Sequence, residues 1–136
     1  MTEYFKSSSS STRSTVAAIF GRVATECGGG RVSKQYCSDV YSSCSSGVLA
    51  YTLPSQSYMV NCPLYFSALP ALSSTCHAQD KATTTLHETT HLTQIAGTTD
   101  QGGCYGYSCV QSLSAAQNLK HADTFALFAN GKLILF

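Results

Sequence analysis

The chain has 136 residues, a length that suits one domain spanning 1–136 and is short for two. Charged residues make up only 11%, against roughly a quarter in ordinary soluble domains, and Ser and Thr fill the gap. With 8 basic and 7 acidic residues the net charge is +1, which argues against nucleic acid or an anionic membrane as the main partner. No apolar run approaches the roughly 18 residues of a membrane span.

Ser7 to Ser11 is a low-complexity run that reads as a loop or helix entry. Behind it Val16, Ile19, Phe20 and Val23 follow i, i+3, i+4, i+7 spacing, so an amphipathic helix is predicted, stopped by Gly28-Gly29-Gly30. Residues 31–47, polar and rich in Ser and Cys, read as a disulfide-tied loop. Val48 to Leu53 has strand composition and ends at Pro54, Tyr58-Met59-Val60 suits a second short strand, and Pro63 and Pro70 break the stretch beyond it. Asp80 is a fitting N-cap for a helix through about Gln94, although its many threonines have poor intrinsic propensity and need tertiary packing. Gly97 ends that helix, and a Gly- and Cys-rich loop runs to Gln111. Ser114 and Gln117 have capping-box spacing, and Leu119, Ala122, Ala126 and Ala129 continue one helical face that Gly131 closes. The expected class is α+β, mainly helical with a small antiparallel sheet.

Seven cysteines (27, 37, 44, 62, 76, 104 and 109) contain no C-x-x-C pair, which disfavours a zinc ribbon or a thioredoxin-type motif and points to an oxidising compartment. Seven is odd, so at least one thiol lacks a partner within this chain. Met1 to Lys6 has no signal-peptide character, and the expectation is of a secreted domain missing its front end.

His87-Glu88-Thr89-Thr90-His91 is H-E-x-x-H. On a helix, residues i and i+4 share a face, so both imidazoles can hold one zinc ion while Glu88 takes a proton from water. A zinc hydrolase needs a third protein ligand and an open position. The metzincin extension fails, because Gln94 and Gly97 stand where Gly and His are required. A downstream glutamate fails too, since Glu88 is the last one. Candidates are then Asp100, Asp123 and His121, with Cys104 and Cys109 if reduced, and His77 upstream. Asp100 follows the Gly97 turn closely enough to swing back, so a two-His, one-Asp site is favoured, with Asp123 as the competing carboxylate.

His87-Glu88-x-x-His91 followed by Gly97-Thr98-Thr99-Asp100 resembles the aspzincin signature, and the chain is similar to the deuterolysin family of secreted fungal neutral metalloproteases. The likeness covers nearly all of it and is strongest in Val48–Ser55, Cys76–Gln94 and Ala122–Asn130. It implies a zincin-like fold and one Zn2+ held by His87, His91 and Asp100. Glu88 is then the general base and Tyr105 the oxyanion donor. Because the Asp-to-Tyr spacing is two residues longer than usual, Tyr107 remains the alternative donor. Tyr65 and Asp123 match positions regarded as important in the family. The resemblance implies a zinc endopeptidase acting on protein or peptide substrates as a monomer, with Val48–Leu53 as an edge strand for an extended peptide. It also implies a Cys44–Cys62 bridge and leaves Cys37 and Cys76 without their usual partners, which lie in an absent N-terminal segment and at an altered C-terminus. Cys104 and Cys109 are placed for a local bridge around Tyr105 and Tyr107, and Cys27 has no assigned partner. The rival reading is a truncated, secreted homologue that binds zinc or peptide with little turnover.

Overall fold

A computed structural model of the chain describes residues 1–134. A short α1 (Thr2–Phe5) leads into α2 (Ser10–Cys27), capped by the Ser9 hydroxyl, which accepts from the Thr12 N–H at 3.1 Å. Val16, Ile19 and Val23 form the buried face of α2, and the Gly28 N–H closes its last turn on the Ala24 carbonyl.

The sheet has three strands, β1 (Lys34–Tyr36), β2 (Ala50–Leu53) and β3 (Tyr58–Asn61), with β3 in the centre. It is mixed rather than antiparallel. β2 pairs antiparallel with β3, with Tyr51 opposite Val60, but β1 pairs parallel, with Gln35 opposite Met59. The extra strand comes from the segment expected to be loop. Lys34 and Gln35 are exposed and carry no alternation to announce a strand, so backbone pairing to β3 holds them in place of burial. The remainder of that segment is tied down by the Cys44–Cys62 disulfide.

Pro63 opens α3 (Pro63–Ala68) instead of breaking the chain, since its missing N–H is no loss in a first helical turn. α4 (Lys81–His91) begins with a reciprocal cap. The Thr83 N–H donates to Asp80 Oδ1 at 2.6 Å, and the Asp80 N–H donates to Thr83 Oγ1 at 2.9 Å. The threonine-rich sequence is helical because it is buried, packed between β2 and α7 (Ala122–Ile134), where its hydroxyls are satisfied by bonding back to the helix. Thr89 Oγ1 donates to the Thr85 carbonyl at 2.7 Å and Thr90 Oγ1 to the His87 carbonyl at 2.8 Å. The helix stops at His91, short of Gln94, as Leu92 and Ile95 turn into a small cluster with Val23 and Met59.

After α5 (Gly106–Ser112), the face expected to be one helix from Ser114 is two. The Ser114/Gln117 box caps only α6 (Ala115–Asn118), and α7 starts afresh at Ala122. The interruption has a cause. The Thr99 N–H donates to the Lys120 carbonyl at 2.9 Å, and the Ala122 N–H to the Thr99 carbonyl at 3.3 Å, which draws residues 120–122 into a bridge with the segment after α4. Gly131 does not close α7 but lies inside it, where a Cβ would collide with the Tyr4 hydroxyl. This close approach seats α1 on α7, with Phe5 against Phe125 at 5.1 Å in a core shared with Val16, Ile19 and Val110. Of the C-terminal stretch expected to differ from the family, Leu135 and Phe136 lie outside the described residues. No helix among the described residues is long and apolar enough to cross a membrane.

Candidate metal centre

The last two turns of α4 carry His87, Glu88 and His91 on the side that faces α7 and β2. The Nε2 atoms of His87 and His91 converge to 3.1 Å. Asp100, delivered by the turn after Gly97, places Oδ1 3.3 Å from His87 Nε2 and 3.6 Å from His91 Nε2. These three side chains are the group among the described residues whose donor atoms lie close enough together, within 4.8 Å, to share one cation.

The outer nitrogens of both histidines are occupied. His87 Nδ1 donates to Asp123 Oδ1 at 2.6 Å and His91 Nδ1 to the Thr98 carbonyl at 2.8 Å. These partners fix the ring orientations and leave each Nε2 for a ligand, the arrangement that metal-binding histidines require. Asp100 Oδ1 is buried and has no hydrogen-bond partner, although Oδ2 accepts from the Tyr105 hydroxyl at 2.9 Å. A buried carboxylate oxygen without a hydrogen bond costs free energy unless positive charge meets it, supplied here by a protonated His87 or by a cation held between the two rings. The set of two imidazole nitrogens and one carboxylate oxygen therefore fits a zinc-sized ion.

The electrostatics favour positive charge here. Burial alone pushes the His87 pKa down, but contacts with Asp100 and Asp123 and the charge of Glu88 outweigh it and raise it to about 10. Burial pushes Asp100 up, yet His87 and Tyr105 bring it down to about 2. Asp123 is likewise held below the usual carboxylate range, because bonds from His87 and the Gly106 N–H override its burial. Tyr105 is pushed up to about 12, by partial burial and then by Asp100, so it is a neutral phenol and a donor at neutral pH.

Glu88 is nearly buried, and its Oε2 accepts from Thr52 Oγ1 on β2 at 2.6 Å. Tyr105 is exposed on the rim, with its ring 6.2 Å from that of His87. Tyr107 is elsewhere: its hydroxyl donates to Glu3 at 2.8 Å and its ring stacks on His77 at 3.7 Å. Tyr65 is also outside the cluster, bonded to Thr85 on another face of α4 at 3.0 Å. Asp123 bonds His87 and the Gly106 N–H, and those bonds occupy both of its oxygens. His121 is not among the converging groups. It is fully buried, that burial lowers its pKa, and its Nδ1 accepts from the Gln101 N–H at 3.0 Å, which steadies the stretch bearing Asp100. Cys104 and Cys109 are bonded to each other, whereas Cys27, Cys37 and Cys76 are free and exposed.

Three contributors carry no sequence signal: Thr52 on Glu88, the Thr98 carbonyl on His91, and the Gly106 N–H, which donates to Asp123 Oδ2 at 2.6 Å. Together these groups line a cleft of about 860 Å³, bordered on one side by residues 47–52, including the edge strand β2. Such a cleft has room for an extended chain beside the histidines.

Residues 1–134 match the family described as the deuterolysin metalloprotease (M35) family. A neutral protease 2 homolog of Colletotrichum graminicola is 63% identical over 131 residues, covering 95% of this chain and 37% of that protein. One from Phaeosphaeria nodorum is also 63% identical, over 95% of this chain and 36% of its own length, and one from Aspergillus flavus is 61% identical, over 95% and 32%. The chain thus spans about a third of the length of these relatives. Among solved structures, a zinc peptidase from Grifola frondosa shares the fold with a TM-score of 0.75 at 23% identity, over 97% of this chain and 76% of that one.

Proposed function

The chain belongs to the deuterolysin metalloprotease (M35) family, and on that premise we propose that it carries the centre of a secreted zinc endopeptidase that hydrolyses peptide bonds in proteins. The observation that carries the reading is the bare, buried Asp100 Oδ1 facing two imidazole nitrogens whose other sides are already bonded. His87, His91 and Asp100 hold the ion. Zinc is the metal named for the Grifola frondosa peptidase, and two histidines with one carboxylate suit it. The chemistry such an ion supplies is a water acidified to a pKa of about 7 and a polarised scissile carbonyl.

The remaining steps belong to the protein's own residues. An extended peptide lies along β2 and adds to its free edge. Glu88, steadied by Thr52, takes the proton of the attacking water and returns it to the leaving amine. Tyr105 turns from Asp100 to donate to the developing oxyanion, a contact worth about 3 kcal/mol in comparable sites. Asp123 keeps His87 oriented throughout. The two disulfides support an extracellular location.

The test is Glu88→Gln, which keeps size and polarity but removes the proton acceptor. The variant is expected to bind about one equivalent of zinc while proteolysis falls by orders of magnitude. Full activity would remove Glu88 from the mechanism. Zinc binding with no cleavage by the unsubstituted chain would favour a homologue that binds without turnover.

A further inference from the structure

Two carboxylates bear on His87, and both are reached from one short loop. Residues 101–106 read Gln-Gly-Gly-Cys-Tyr-Gly. Gly102 and Gly103 adopt left-handed φ of 70° and 62°, and Gly106 follows at 79°. Backbone of this kind loses more conformational freedom on ordering than any other. Yet this segment must present the Tyr105 hydroxyl to Asp100 Oδ2 at 2.9 Å and the Gly106 N–H to Asp123 Oδ2 at 2.6 Å. Its start is steadied where the Gln101 N–H meets buried His121. Its middle is fixed by the disulfide from Cys104 to Cys109. Cys109 is buried on α5 next to the fully buried Val110, and its Sγ lies 3.7 Å from His121 Nε2. The bridge therefore fastens a glycine-rich loop to a helix anchored in the core, on either side of the residues that reach Asp100 and Asp123. It spans five positions only, and a bridge that short restricts the unfolded chain less than a long-range one. Its consequence in the folded protein is local.

We infer that the Cys104–Cys109 disulfide is a positioning crosslink for the centre, holding Tyr105 on Asp100 and the Gly106 N–H on Asp123; this rests on the reading of His87, His91 and Asp100 as a zinc site. Tyr105 is the residue through which the bridge bears on turnover, and Asp123 the one through which it bears on the ion.

The test replaces both cysteines, Cys104→Ala with Cys109→Ala, in the full chain, with and without Tyr105→Phe. Zinc affinity is read by competition with a chromophoric chelator, and kcat and KM on a peptide substrate. Without the bridge, zinc affinity is expected to fall about 10-fold or more, the size usual for losing support behind a ligand. kcat is expected to fall at least as far, with KM changed by about twofold or less. Tyr105→Phe should cost about 100-fold in kcat with the bridge present, as for an oxyanion donor, and about 10-fold or less without it. Zinc affinity unchanged within about twofold, or a Tyr105→Phe penalty of the same size in both backgrounds, would overturn the inference. If the double variant does not fold, as judged by near-UV circular dichroism, Cys104→Ala alone keeps the buried Cys109 thiol beside His121 and meets the same criteria. An unsubstituted chain that binds no zinc would overturn the zinc reading and this inference together. One that binds zinc, set against an unbridged variant that binds it equally well, would overturn this inference alone.

Discussion

On the proposed reading, Asp123→Asn separates the residue that supports a zinc ligand from Asp100, the residue proposed to be one. In the structure its two oxygens each accept one bond, from His87 Nδ1 and from the Gly106 N–H, both at 2.6 Å. Asparagine has the same shape but one oxygen and no charge, so one of those donors must face an N–H. His87 then loses the negative charge behind it in either amide orientation, and its own orientation as well where the N–H faces it, while the converging Nε2 atoms and Asp100 Oδ1 stay where they are. Losing such support costs about 10–100-fold in metal affinity, or about 1.4–2.8 kcal/mol. Asp100→Ala removes a converging oxygen itself, and we expect at least a further tenfold loss. The assay is competitive zinc titration at fixed pH, with turnover measured at saturating zinc. There the Asp123→Asn protein should still cleave, but slowly. A larger loss in Asp123→Asn than in Asp100→Ala would reverse the two roles, and a loss below about twofold would mean that the His87–Asp123 bond does not support the ion.

Thr52→Val removes the hydroxyl on Glu88 Oε2 while keeping the shape of β2; kcat should fall about 10-fold, the equivalent of one hydrogen bond to a charged group, with KM unchanged. Glu26 is buried at the end of α2, and although burial raises its pKa, bonds from the Ser33 hydroxyl, the Ser33 N–H and the Val32 N–H bring it below the usual value. Its contribution to stability is therefore complete above the unfolded pKa of about 4.3 and is lost as pH falls through the folded value, so urea midpoints of the parent and Glu26→Gln proteins should differ at pH 7 and draw together in acid. A gap that widens in acid would contradict this sign. Alkylation of the native 136-residue chain without reductant should label three thiols, Cys27, Cys37 and Cys76; labelling of Cys44 or Cys62 would show that their bridge is absent.

The parts of the site legible in the sequence are those set by local geometry. His87 and His91 share a face because they are four apart on a helix, and Asp80 announces that helix because a capping side chain acts within one turn. Asp100 is within reach because nine residues and a glycine turn make a short tether. The rest depends on contacts between distant segments. β1 has no apolar alternation and exists only through pairing with β3. The break before α7 comes from Thr99 pairing with Lys120 and Ala122. Nothing in a lone threonine marks Thr52 as the partner of Glu88, 36 residues away. Tyr105 and Tyr107 look equivalent in a glycine-rich stretch. Only the packing of α1 carries the Tyr107 hydroxyl off to Glu3 and leaves Tyr105 beside Asp100.

That His87, His91 and Asp100 together hold one zinc ion is tested most directly by anomalous diffraction at the zinc edge, from crystals of the zinc-loaded protein. The expected result is one peak within bonding distance, about 2.0–2.2 Å, of His87 Nε2, His91 Nε2 and Asp100 Oδ1, with Asp123 still on His87 Nδ1. A peak coordinated by Asp123 or His121 in place of Asp100, or no zinc between the two histidines, would contradict it.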